Sequence, residues 1–186
     1  GDAGRVRSAF RGCPRGSAGA RATAMGLPAA SRSRALSEVI VPVDASSMSL
    51  LDKCDDPERD KDFGLICSAK DGVRGLHVVS ALVLDPEGTV QGVGAMQWWS
   101  RGLRPDRSSR GTKARRPLEK TELGHWATTI QTTHETFRDQ APGVVPWFQL
   151  DRGGASWRLL RGLHQGDYPH TARARANRNV LAVAVG

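Results

Sequence analysis

Two short apolar runs, each closed by an aspartate, constrain this chain more than any other feature. Val39-Ile40-Val41-Pro42-Val43 precedes Asp44, and Val144-Val145-Pro146-Trp147-Phe148-Gln149-Leu150 precedes Asp151. Continuous runs of this length, rich in β-branched residues, read as buried strands. Pro42 weakens the first, because proline cannot donate to a ladder. Between them lies a convincing hairpin. Gly75 to Leu84 is one arm and Thr89 to Trp99 the other. Asp85-Pro86-Glu87-Gly88 carries turn chemistry, proline presetting φ and glycine accepting a positive one.

The spacing predicts a helix over Leu118 to Arg138, with Leu123, Trp126, Ile130 and Phe137 on one face. Glu119 and Glu122 fall in its first turn, where the helix dipole favours acids. Ala141-Pro142-Gly143 stops it. A second, short helix is expected over Ala155 to Leu163, ended by Gly166. Phe63 to Ala69 and Tyr168 to Arg175 are weaker strand candidates. Asn177-Arg178-Asn179 reads as a turn into Val180 to Val185. Trp126, Trp147 and Trp157 are expected in the core, and Trp98 and Trp99 on opposite faces of a strand. The order of strand, hairpin, helix, strand, helix, strand predicts an α/β fold with a mixed sheet.

At 186 residues there is room for one ordinary domain. Residues 1–36 hold a single acid, Asp2, and no periodic pattern, so they are expected to form a basic, disordered tail. Its Arg- and Ser-rich start also resembles a transit peptide, without the amphipathic repeat that would support one. Structure is expected to begin near Glu38, in a domain spanning 37–186. No apolar run approaches the length that spans a bilayer, so no membrane partner is expected. Cys13, Cys54 and Cys67 are odd in number and form no CxxC pair, which points to a reducing cytoplasm. With the histidines they match no structural zinc spacing.

Asp44 and Asp151 carry the candidate chemistry. Ligands of an open α/β sheet bind outside the carboxyl ends of its strands. Should the two strands be neighbours, their carboxylates converge and repel unless a divalent cation lies between them. Hard oxygen donors suit Mg²⁺ or Mn²⁺, and such a site supports phosphodiester cleavage. The alternative is that each aspartate only caps a helix or forms a turn.

Several segments, in order, resemble bacterial DDE transposases of the insertion-sequence-four type. Asp44-Ala45-Ser46 after a short strand resembles their D-x-T/S motif. The hairpin ending Gln97-Trp98-Trp99-Ser100-Arg101 resembles their second and third strands. Glu119-Lys120-Thr121-Glu122-Leu123-Gly124-His125-Trp126 is similar to their E-K-E-x-x-K-W helix start. Trp147-Phe148-Gln149-Leu150-Asp151-Arg152-Gly153-Gly154 resembles the strand leading to the second catalytic aspartate, and Gly166-Asp167-Tyr168 through Arg175 the strand after it.

The resemblance covers roughly residues 38 to 183. It implies an RNase H-like mixed sheet with flanking helices, and DNA strand cleavage and transfer with two Mg²⁺ (or Mn²⁺) ions. It makes Asp44 and Asp151 the catalytic metal ligands and Ser46 a supporting residue. It implies transposon-end DNA as partner, a homodimer for the intact protein, and a bacterial, nucleoid-associated, cytoplasmic location. Departures accompany it. Glu119, Glu122 and Glu135 all precede Asp151, so none fits the third acid of the triad. Gly153, Gly154 and Ala155 replace the family's acidic, small and acidic residues. The chain is therefore expected to be an N-terminal piece, truncated before that acid, with little or no catalysis.

Net charge is +8, which makes a polyanion a plausible partner. Arg101, Arg104, Arg107, Arg110, Lys113, Arg115 and Arg116 crowd one aperiodic loop. The loop reads as a set of phosphate contacts, with a merely solvated loop as the alternative. Three other functions compete: a metal-dependent nuclease on the same fold, a non-catalytic basic module that binds nucleic acid, and a non-functional remnant.

Overall fold

A computed structural model describes residues 25–49, 63–66, 73–100, 118 and 121–173. Residues 25–32 form helix α1, which runs into a 3₁₀ turn at Ser33–Ala35. Then follow β1 (Glu38–Ser49), β2 (Gly64–Leu65), β3 (Arg74–Leu84), β4 (Val90–Trp99), α2 (Glu122–Gln140), β5 (Val145–Leu150), α3 (Trp157–Gln165) and β6 (His170–Ala172). The six strands make one mixed sheet in the order β2-β3-β1-β5-β6, with β4 also on β3. β3 runs antiparallel to β1 and β4, whereas β5 runs parallel to both β1 and β6. The expected mixed α/β architecture is present.

The hairpin forms where its turn chemistry places it. Asp85 Oδ1 accepts the Thr89 amide at 2.7 Å, and Gly88 takes φ +90° while donating to the Asp85 carbonyl at 3.0 Å. Pro42 leaves its mark in β1. The β1–β3 ladder pairs Ile40 with Leu84 and resumes at Val43 with Ala81. The strand survives because β5 goes on pairing with it across the gap, Val41 opposite Phe148 and Pro42 opposite Gln149.

One face of the sheet is covered. Val39, Val41, Val43, Val79, Ala81, Val83, Phe148 and Leu150 bury against Trp126, Ile130 and Phe137 of α2 and Leu159 and Leu163 of α3. A stripe of threonines completes that surface of α2. Thr129, Thr133 and Thr136 are buried, and each hydroxyl donates to the carbonyl four residues back, at 2.8 to 2.9 Å. That bond satisfies the buried oxygen within the helix and leaves the methyl for packing. The other face is more open: Leu82, Trp98, Val145 and Trp147 are exposed there.

Four expectations need correction. The structured region begins before residue 37: Ala29, Ala30 and Ser33 are wholly buried, within the stretch read as a tail. Small side chains do this because they meet glycines. A Cβ on Gly26 would stand 2.4 Å from the Gly94 carbonyl oxygen, and one on Gly92 3.1 Å from Ala29 Cβ. Close backbone approach buries area that counting large apolar residues misses. Second, β1 does not end at Asp44 but continues to Ser49, because β3 goes on pairing with it after β5 has stopped. Third, Trp147 and Trp157 are exposed at 43% and 61%, not core. Trp147 lies on the open face, and Trp157 opens the first turn of α3, with Leu159 and Leu163 buried in its place. Fourth, the long helix starts at Glu122, with Thr121 as N-cap, so only Glu122 is in its first turn. The segments 1–24, 101–117 and 174–186, and with them the Val180 to Val185 strand expectation, lie outside the described residues. So does most of Phe63 to Ala69, of which Gly64–Leu65 is strand. No helix among the described residues is long and apolar enough to cross a membrane.

Candidate functional site

Parallel pairing of β1 with β5 sets side by side the two strands that precede the aspartates. The register runs from Glu38 opposite Val145 to Val43 opposite Leu150. Asp44 and Asp151 each come one step after this last pair: Asp44 continues in β1 opposite Ser80, and Asp151 leaves β5 for a turn. Val43 and Leu150 are buried; Asp44 and Asp151 are exposed. Ser46, two residues on along β1, is exposed as well and opposes Val78 on β3.

The two carboxylates differ in their surroundings. Asp151 forms the turn that follows its strand. Its Oδ1 accepts the Gly153 amide at 2.8 Å and the Gly154 amide at 3.2 Å. The turn-forming alternative is thus realised at Asp151, and it leaves Oδ2 outside those bonds. Asp44 lies within a strand and caps no helix. Among the described residues, no group of three or more His, Cys, Asp and Glu is placed to hold a metal ion. The pair nevertheless fits Mg²⁺, which is commonly held by one or two carboxylates and completed by waters and substrate phosphates. Its donors are hard oxygens, and one carboxylate is already fixed by backbone N–H groups.

Four of the five histidines make other contacts. Trp99 lies between His125, at 4.3 Å and 8° between ring planes, and His77, at 5.3 Å and 23°. Ser47 Oγ is 2.9 Å from His77 Nδ1. His134 meets Tyr168 edge to face at 4.7 Å, and His170 Nδ1 is 2.7 Å from the Tyr168 carbonyl oxygen. Burial lowers the His125 pKa, partly offset by Glu122; burial, then Arg138, lowers that of His134, with Glu135 opposing. Trp98 and Trp99 point to opposite faces, Trp98 exposed and Trp99 against α2.

Sequence reasoning singled out neither the ring column nor the glycine seat beneath Asp151. The column joins three elements far apart in sequence, so no local pattern announces it. The seat had a signal, the two glycines that follow Asp151-Arg152. A groove of about 420 Å³ lies at the opposite end of β5, lined by His134, Arg138, Val145 and Asp167 among others. It contains neither aspartate. Arg101, Arg104, Arg107, Arg110, Lys113, Arg115 and Arg116 all lie outside the described residues. No family model matches the chain, and no curated protein matches it.

Proposed function

We propose that Asp44 and Asp151 form the carboxylate pair of a metal-dependent phosphoryl-transfer site acting on DNA, of the DDE transposase kind. The observation that carries this reading is the β1–β5 register, in which Val43 opposes Leu150 and each is followed by one of the aspartates. The strand order supports an RNase H-like architecture: three antiparallel strands side by side, then two parallel ones reached through helices. So does the order of the motifs along the chain.

A bound divalent cation would polarise a phosphodiester and stabilise the leaving oxygen. Asp44 and Asp151 would hold it, and Ser46 would lie beside them on β1. The described residues contribute two carboxylates where the resemblance calls for three. We therefore expect metal-dependent DNA binding with little or no strand transfer from these residues alone. Arg101 through Arg116 would supply phosphate contacts, and transposon-end DNA would be the partner, held by a homodimer in the intact protein.

Mn²⁺ titration and DNA binding of the chain, with Asp44→Asn and Asp151→Asn singly and together, test this. The expected result is metal-dependent DNA binding that each substitution weakens. Metal-independent binding of equal strength in the double variant would leave a basic electrostatic module instead. Metal-dependent hydrolysis without strand transfer would favour a nuclease on the same fold.

A further inference from the structure

Asp151, Arg152 and Gly153 are exposed, yet Gly154 in the same turn is buried. The cause is Trp126. A Cβ on Gly154 would fall 2.7 Å from Trp126 Cζ3, 2.9 Å from its Cε3 and 2.9 Å from Leu150 Cδ2. Only glycine lets the backbone lie this close to the ring. Trp126 has little room to yield: it is 5% exposed, and the preceding residue, His125, is stacked on Trp99. The other side of the turn is tied down as well. The Ser156 amide donates to the Gly154 carbonyl at 2.7 Å, and the Arg173 amide to the Leu150 carbonyl at 2.9 Å.

We infer that Trp126 is a positioning residue for Asp151. Its ring seats the Gly153-Gly154 backbone, whose two N–H groups lock Oδ1 and leave Oδ2 as the oxygen offered to a divalent cation. The inference rests on the reading of Asp44 and Asp151 as a metal site. A carboxylate locked in this way coordinates through a single oxygen and loses little freedom when the ion arrives. Partners that orient a ligand in this manner are worth about 10–100-fold in metal affinity.

Gly154→Ala, Trp126→Phe and the double variant of the full chain test the inference. Phenylalanine lacks the indole's outer ring edge, so Trp126→Phe relieves the clash that Gly154→Ala creates. Three quantities are read: Mn²⁺ affinity from the paramagnetic resonance of free Mn²⁺, hydrogen exchange of the Gly153 amide in metal-free protein, and the melting temperature. Gly154→Ala is expected to weaken Mn²⁺ binding about 10–100-fold and to speed Gly153 exchange, and the double variant to recover most of both. Wild-type affinity in Gly154→Ala overturns the inference. So does a loss that follows the melting temperature and is not recovered in the double variant. If the wild-type chain binds no Mn²⁺ while Gly153 exchange still responds to both substitutions, the metal reading fails and the seat is upheld. If Mn²⁺ binds and Gly153 exchange responds to neither, the seat fails and the metal reading stands.

Discussion

Trp99 lies almost flat on His125, ring centroids 4.3 Å apart and planes 8° from parallel. The stack joins the end of β4 to the start of α2 and half-buries the imidazole. Burial disfavours its charged form and lowers its pKa from the ordinary 6.5; Glu122 opposes this only in part. A group with a depressed folded pKa binds its proton more readily in the unfolded chain. Stability is therefore retained above pH 6.5 and lost as pH falls below it. His134, also lowered, adds in the same direction. The melting temperature should be level above about pH 7 and fall between pH 6.5 and 5, with a shallower fall in His125→Gln. An equal slope in that variant would place the effect elsewhere.

The contact between β4 and α2 leaves no room for a methyl group. A Cβ on Gly94 would sit 2.6 Å from Thr133 Cγ2, 3.0 Å from its Oγ1 and 3.2 Å from Val83 Cγ2. Thr133 cannot turn aside without breaking its 2.9 Å bond to the Thr129 carbonyl. The helix must lift instead. Gly94→Ala is expected to cost about 1–3 kcal/mol, read by urea unfolding. Gly143 offers the contrast: nothing lies within 4 Å of a Cβ there, but its φ is +99°, so any cost of Gly143→Ala comes from the backbone alone.

Phe137 and Phe148 are the largest of the wholly buried side chains among the described residues. Phe137 comes from α2 and Phe148 from β5, the element that aligns Asp151 with Asp44. Truncating Phe148 to alanine should cost roughly 3–5 kcal/mol. The same substitution at Trp147, one residue earlier but 43% exposed, should cost much less. Its main losses are the 2.8 Å bond from its Nε1 to Thr171 Oγ1 and half-buried area. Melting temperatures of the two variants measure which face of β5 carries the core.

These contrasts show what the residue pattern makes legible. The hairpin, the crossover helix and the two strands before Asp44 and Asp151 were readable because each is a local signal: turn chemistry, 3.6-residue spacing, an apolar run. The apolar stripe of α2 was readable for Leu123, Trp126, Ile130 and Phe137, but not for its threonines. Their burial depends on bonds to their own helix and, for Thr133 and Thr136, on Gly94 of β4 and Gly26 of α1, and neither shows in hydropathy. α1 was missed for the same reason, since Ala29 lies against Gly92 and Gly26 against Gly94, both glycines of β4. The pairing of Asp44 with Asp151 was legible only as a condition on strand adjacency. The parallel β1–β5 register meets that condition, whereas the seat beneath Asp151 needed the Trp126 ring in place.

Two exposed carboxylates on adjoining strand positions repel in the absence of a cation. For carboxylates about 5 Å or more apart in solvent-like dielectric the penalty is below about 1 kcal/mol, and salt screens it. Asp44→Asn removes that repulsion without touching the Asp151 turn, whose two amide bonds involve only Asp151 Oδ1, Gly153 and Gly154. Metal-free Asp44→Asn should therefore melt at or slightly above the wild-type temperature in low salt, with the difference shrinking at high salt. Adding Mg²⁺ should reverse the order. A ligand that binds only the folded state stabilises it by RT ln(1 + [L]/Kd), so the wild-type melting temperature should climb with Mg²⁺ concentration. Without the Asp44 carboxylate the climb should be lost or displaced to much higher concentration. Parallel curves for the two proteins across a Mg²⁺ series would show that the pair holds no cation, whatever their separation at the strand ends.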